Sequence, residues 1–275
     1  MIKIKEYVKV ESLEQAYELN QKRANRIIGG MLWMRMSSAQ VQTVIDLSGL
    51  GLDTIEENEE AFSIGCMTTL RQLELHEGLE KYSNGAVRAC VKDIVGVQFR
   101  NLATIGGSIF GRFGFSDVLT CFLAMDTYVE LYKGGILPLE EFVKKKKDKD
   151  ILVRVIVKKT EGRFAYLTHR NTKTDFPVLA VGIGDMADKL VVTVGARPME
   201  AMRVPVKPEW KAVLDGESCT AAEIESIVKE IASQVPTESN MRGSAEYRSH
   251  LAKVLIRRGL ERIREEKGLK EYAED

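Results

Sequence analysis

Phe99-Arg100-Asn101-Leu102-Ala103-Thr104-Ile105-Gly106-Gly107-Ser108, running on through Ile109-Phe110-Gly111-Arg112-Phe113-Gly114-Phe115 to Ser116-Asp117, is the stretch on which the fold turns. A short apolar run enters Gly106-Gly107, which reads as a tight glycine turn. Adjacent glycines let a backbone pass close to a ligand, because no Cβ intervenes and positive φ is accessible. Such a turn can aim several N–H groups at one phosphate. Asp117 offers a carboxylate able to accept bonds from a ribose or an adenine. One Gly-Gly alone is weak evidence, because tight turns of this composition are common.

A second pair strengthens it. Arg26-Ile27-Ile28-Gly29-Gly30-Met31-Leu32-Trp33 is again an apolar run ending in two glycines, and it follows a helix-like Ser12–Ala24 with Leu13, Ala16, Tyr17 and Leu19. Two such turns could grip the two phosphates of one dinucleotide. Neither is the GxGxxG fingerprint nor the GxxxxGK P-loop.

These residues resemble the FAD-binding subunit, or middle domain, of the molybdenum hydroxylases, the medium-subunit family of xanthine dehydrogenase and carbon monoxide dehydrogenase. The family's first loop carries Ala-Gly-Gly followed by a hydroxyl residue, and here stands Ile28-Gly29-Gly30-Met31-Leu32. Its second loop is similar to Arg100-Asn101-Leu102-Ala103-Thr104-Ile105-Gly106-Gly107-Ser108, with Ser116-Asp117 at the family's spacing. Val192–Pro198 and Arg242–Arg248 resemble the family's C-terminal strand-turn and the approach to its last helix, so the likeness spans essentially the whole chain.

Composition sets outer bounds. The 275 residues suffice for two modest domains, and 44% hydrophobic with 29% charged residues is ordinary for a globular chain. Lys+Arg and Asp+Glu both number 40, so no basic field argues for nucleic acid and no overall bias for a membrane surface. No apolar run is long enough for a membrane helix, and Met1–Lys5 lacks a secretory apolar region, so a cytoplasmic location is expected. Cys66, Cys90, Cys121 and Cys219 are too widely spaced for an iron–sulfur cluster. His76, His169 and His250 form no zinc or catalytic motif, and no nucleophile elbow or paired-carboxylate constellation stands out.

Along the chain, periodicity predicts strands at 1–10, 26–29, 41–47 and 61–65, and a helix capped by Thr68 or Thr69. Helices follow at 84–95 and 117–125, then a strand at 128–132 ending in a Gly134-Gly135 hairpin turn. Lys144–Asp150 reads as a solvated basic loop marking a domain boundary. Beyond it come strands at 151–157, 179–183 and 190–194 and helices at 221–232 and 247–264. Tyr166 and His169 read as surface positions of a strand.

The fold class is therefore α+β. The resemblance implies a two-lobed FAD-binding domain of the PCMH (vanillyl-alcohol oxidase-like) type over 1–150, with lobes at about 1–50 and 51–150. A smaller C-terminal domain of the CO dehydrogenase flavoprotein type occupies 151–275. It also implies FAD as cofactor. Ile28, Gly29, Gly30, Met31 and Leu32 would wrap the diphosphate through backbone N–H groups, with Thr104, Ile105, Gly106, Gly107 and Ser108 doing the same from the second lobe. Asp117 would hold the ribose or adenine side, and Leu152 would pack near a ring of the cofactor. Tyr166 stands where the family often has a basic residue. No metal and no catalytic triad are expected, because a flavin subunit leaves the chemistry to its cofactor. The implied partners are an iron–sulfur subunit and a molybdenum-cofactor subunit, with NAD as a possible electron acceptor. Met31 and Leu32 depart from the family by removing a hydroxyl that could bond a phosphate. That leaves two other readings: a flavin-poor structural subunit of the same assembly, or a stand-alone FAD oxidoreductase.

Overall fold

The computed structural model describes residues 1–269. β1 (Lys3–Lys9) leads to α1 (Leu13–Gln21), whose first turn is capped by the Ser12 hydroxyl accepting from Gln15 N–H. The short β2 (Arg26–Ile28) and β3 (Gln40–Asp46) follow, and the three strands form a parallel sheet in the order β1-β3-β2. Val41, Val44 and Ile45 of β3 are buried, and β3 is the central strand.

β4 (Ile55–Glu57) and β5 (Ala61–Gly65) open a second, antiparallel sheet. α2 (Leu70–Leu75) starts at Thr69, where hydroxyl and Gln72 side chain form a reciprocal capping box. α3 (Glu77–Tyr82) and α4 (Ala86–Val91) precede α5 (Val97–Arg100), α6 (Ile105–Gly111) and α7 (Asp117–Leu123). β6 (Thr127–Leu131) and β7 (Gly135–Pro138) make the expected hairpin, with Gly135 at φ 68° supplying the left-handed turn residue. α8 (Leu139–Lys144) and β8 (Leu152–Lys158) complete this part, and the second sheet has the order β4-β5-β8-β6-β7.

The remaining elements are β9 (Gly162–Arg170), β10 (Pro177–Met186), β11 (Leu190–Gly195), β12 (Met202–Val204), α9 (Pro208–Asp215), α10 (Ala221–Ser233) and α11 (Ala245–Glu266). The four strands form an antiparallel sheet in the order β12-β11-β10-β9. Every residue of β10 is buried, which is why Pro177–Met186 reads as an almost unbroken apolar run. Val181 and Ile183 join α10 and α11 in one apolar core. Gly182 and Gly184 instead face α7: a Cβ at Gly184 would stand 2.0 Å from the Ala124 carbonyl oxygen.

The described chain divides into two compact units that interleave in sequence. The first comprises Met1–His76, Val95–Gly111 and Thr127–Lys159, and holds both the parallel sheet and the five-stranded sheet. The second comprises Glu77–Ile94, Arg112–Asp126 and the chain from Thr160 onward, and holds the four-stranded sheet with α7, α10 and α11.

Two sequence expectations change, and a third gains a detail. Thr104–Gly107 is not a tight glycine turn: Gly106 and Gly107 lie inside α6, and neither has positive φ. Tyr166 is buried, at 4% exposure, rather than on the surface. The Lys144–Asp150 run is exposed over 144–148, as expected of a solvated segment, but it is also tied down: Lys147 donates to the Gly111 carbonyl at 2.9 Å, and Asn20 donates to the Lys149 carbonyl at 2.8 Å.

Candidate functional site

β2 delivers its chain to Gly29 at the carboxyl edge of a parallel strand, the edge where open α/β sheets bind ligands. The backbone N–H groups of Gly29, Gly30, Met31 and Leu32 donate to no acceptor among the described residues. Met31 sits at φ 57°, an uncommon conformation for a residue with a side chain. Runs of N–H groups around a left-handed residue form concave nests that favour anions. Four adjacent open donors and one strained residue therefore fit a phosphate-binding loop. Ile28 belongs to the strand, paired with Asp46 of β3, and anchors the loop.

The second glycine pair lies in the same unit and touches the first. A Cβ on Gly29 would stand 2.6 Å from the Thr104 hydroxyl, and one on Gly30 would stand 1.9 Å from the Leu102 carbonyl oxygen. Glycine is required at 29 and 30 by close approach to this chain, not by positive φ. The same holds for Gly106, whose Cβ would meet the Cys66 carbonyl at 2.5 Å.

The N–H groups of the second loop are committed. Ile105 donates to Thr68 O, Gly106 to Cys66 O, Gly107 to the Thr104 hydroxyl, and Ser108 to Thr104 O. The Ser108 hydroxyl also donates to Thr104 O. Gly107 is the exception among the glycines: it is exposed, and its only neighbour at contact range is the Thr104 hydroxyl at 3.3 Å. An exposed glycine in helical conformation costs about 1 kcal/mol relative to alanine, so its presence here is not explained by packing.

Leu152 is buried at the start of β8, across from Leu131. Cys66 is buried beside α6, and burial pushes its thiol up to about 12.

The second unit holds the predicted carboxylate. Asp117 is the first residue of α7, a helix with all seven residues buried. The Ser116 hydroxyl caps the helix by accepting from Leu119 N–H, and the Arg203 guanidinium donates to the Leu123 and Met125 carbonyls at its other end. Asp117 Oδ1 accepts from the Tyr166 hydroxyl at 2.5 Å and from Arg170 Nη2 at 2.6 Å. Burial pushes the Asp117 carboxyl above its ordinary range, and the Arg170 charge partly offsets this. Burial, then the Asp117 charge, lifts the Tyr166 phenol well above its ordinary value.

The structure thus brings Asp117 and Tyr166 together, and adds Arg170, which the sequence had left unassigned. A lone arginine at a strand end gives no periodic signal; only its register opposite Pro177 reveals the placement. His169 meets Tyr247 at 3.0 Å, away from any metal-type cluster. Among the described residues no group of three or more His, Cys, Asp or Glu is arranged for a metal ion, and no helix is long and apolar enough to cross a membrane.

A glycine loop with open N–H donors stands at the edge of a small parallel sheet, against the segment that leads into the second glycine pair. Residues 2–160 match the model for the FAD binding domain in molybdopterin dehydrogenase, and residues 168–263 match that for the CO dehydrogenase flavoprotein C-terminal domain. The chain belongs to this family, the FAD-binding subunits of the molybdenum hydroxylases. The uncharacterized protein YgfM of Escherichia coli K12 is 22% identical over 257 residues, covering 92% of this chain and 94% of that protein. Quinoline 2-oxidoreductase from Pseudomonas putida 86 is similar in fold, with a TM-score of 0.80 at 15% identity, covering 95% of this chain and 97% of that one. The Cu,Mo-CO dehydrogenase in its cyanide-inactivated form gives a TM-score of 0.81 at 20% identity, covering 96% and 99%.

Proposed function

We propose that this chain holds FAD and relays electrons within a multisubunit molybdenum hydroxylase of the xanthine dehydrogenase type. The observation that carries the reading is the run of four open N–H donors at Gly29–Leu32, with Met31 held at positive φ. These donors would take the diphosphate. Thr104, just before α6, and Gly107 within it would border the diphosphate, with the Thr104 hydroxyl already oriented by Gly107 N–H. Ile105, Gly106 and Ser108 would set the floor beneath them, their N–H groups committed to 66–68 and 104. Leu152, buried at the start of β8, would supply apolar packing.

Bound flavin supplies the two-electron to one-electron conversion between a donor and an acceptor. The protein's own residues bind and orient it. Electrons would arrive from an iron–sulfur subunit, downstream of a molybdenum-cofactor subunit that oxidises an N-heteroaromatic substrate, and leave to an acceptor such as NAD. The absence of any cysteine cluster in the sequence supports placing iron–sulfur centres on another chain.

A flavin-poor subunit is the second reading. It is favoured by the missing hydroxyl at Met31 and Leu32 and by the committed N–H groups of α6. The visible absorption spectrum of the purified chain separates the two, with flavin released by denaturation and identified. Near-stoichiometric FAD supports the first reading. A colourless protein that takes up no added FAD supports the second. Bleaching of the bound flavin by NADH then tests the acceptor.

A further inference from the structure

Glu74 and Arg100 form a buried bidentate pair, at 7% and 5% exposure. Arg100 Nε lies 2.7 Å from Glu74 Oε2, and Nη2 lies 3.2 Å from Oε1. Arg71 adds a second guanidinium at 2.9 Å. Burial pushes the Glu74 carboxyl up, but the bonds from Arg100 and Arg71 outweigh it and hold the group below its ordinary value.

The pair joins α2 to α5, and both helices lead to the glycine loops. Arg100 ends α5, and two residues later the Leu102 carbonyl presses on Gly30. At the other end of α2, Leu70 N–H donates to Ala103 O at 2.8 Å, and Thr69 bridges to Thr104. The segment 101–104 is thus clipped at both ends: by backbone bonds at 69–70 and by charge at 74–100. What it is clipped against is the Gly29-Gly30 backbone. The position of the Leu102 carbonyl therefore sets where the open N–H groups of Gly30 and Met31 point.

Stability alone does not account for such a pair. Replacing a buried ion pair with apolar groups is often neutral or stabilising, so the pair is weak evidence for stability, and its geometry points to a positional role. Lysine could supply the charge, but only arginine presents a planar fork matching both carboxylate oxygens.

We infer that Glu74 and Arg100 are positioning residues for FAD: their pairing fixes the Leu102 carbonyl against Gly30 and so aims the Gly29–Leu32 donors at the diphosphate. The inference rests on the reading that this loop holds FAD. It requires that the fold can survive without the pair while FAD affinity does not.

The test is isothermal titration of the full-length apo chain with FAD and with ADP as a diphosphate probe, alongside the apo thermal midpoint. Three chains are compared: wild type, Glu74→Met/Arg100→Met and Arg100→Lys. The expected result is a double variant with a midpoint near or above wild type whose affinity for both probes falls by about tenfold or more, the loss of one charge-assisted bond or greater. Arg100→Lys should show the same loss and keeps the test open if the double variant fails to fold. A variant that folds and binds both probes within twofold of wild type overturns the inference and leaves FAD binding standing. A wild-type chain that binds neither probe overturns the reading beneath it as well.

Discussion

Gly30→Ala is the sharpest test of why the first loop carries two glycines. The added Cβ would stand 1.9 Å from the Leu102 carbonyl oxygen and 2.5 Å from its carbon. Both are backbone atoms, and Leu102 belongs to the segment tied to α2 through Leu70 N–H. The loop must therefore retreat by about 1 Å, since overpacked backbone relaxes by shifting rather than by changing rotamer. Overpacking of this kind costs roughly 1–3 kcal/mol, which lowers a thermal midpoint by about 2–4 °C per kcal/mol in a chain of this size. Binding should suffer more. Displacing two of the four open donors from a phosphate forfeits roughly 1.5–3 kcal/mol each, which weakens FAD by about 10²–10⁴-fold. Differential scanning fluorimetry reads the first effect and equilibrium titration with FAD the second. Gly51→Ala is the control: it sits at φ 66° with nothing within 4 Å, so it should cost about 1–2 kcal/mol of strain without touching FAD affinity. A Gly30→Ala chain with wild-type midpoint and wild-type FAD affinity would refute the close-approach argument altogether.

Other outcomes follow from the same geometry. Gly107→Ala should raise the apo midpoint, by up to about 1 kcal/mol of helix propensity, yet weaken FAD; tighter or unchanged binding would remove Gly107 from the site. Met31→Ser should tighten FAD by about 1 kcal/mol by restoring a hydroxyl at the nest without a branched Cβ at positive φ, and an unchanged dissociation constant would show that position 31 faces away from the phosphates. Glu74 and Asp215 both lie below their ordinary values: burial opposes this, but guanidinium bonds from Arg100 and Arg71 hold Glu74 down, and ammonium bonds from Lys267 and Lys211 hold Asp215 down. A carboxylate depressed in the folded state stabilises above its unfolded value and loses that contribution as pH falls through the folded one. The midpoint should thus drop on acidification below about pH 4.5, and a flat acid limb would contradict both pairings. Asp117, raised by burial, works the other way and softens the fall. All four cysteines are buried and Cys66 is pushed up to about 12, so iodoacetamide should modify none in the native chain and four after denaturation, counted by intact mass.

Much of the fold was legible because its strongest signals are local. The Gly134-Gly135 hairpin, the Thr69 cap and the buried runs of β5 and β10 follow from turn chemistry and patterning, and each stands where those rules put it. The family likeness, carried by 100–108 and by Ser116-Asp117, gave the architecture. The glycines were legible as important but not for the right reason. Positive φ and ligand contact are what a bare Gly-Gly suggests, whereas Gly30 and Gly106 are needed because two backbones of the same chain nearly touch, and Gly29 because the Thr104 side chain lies against it. A close approach between residues some seventy positions apart leaves no trace in local periodicity.

The division of labour between the loops was hidden for the same reason. Both glycine pairs looked equivalent as donors, because a sequence shows how many N–H groups a segment has and not where they go. Bond by bond, the second loop is satisfied by Cys66, Thr68 and Thr104, while the first faces no acceptor. An unsatisfied run of backbone donors is costly unless water or a ligand meets it. A loop that keeps four such donors open, holds Met31 in a strained conformation and is braced from behind by a fully bonded helix fits the proposed role in holding an anion.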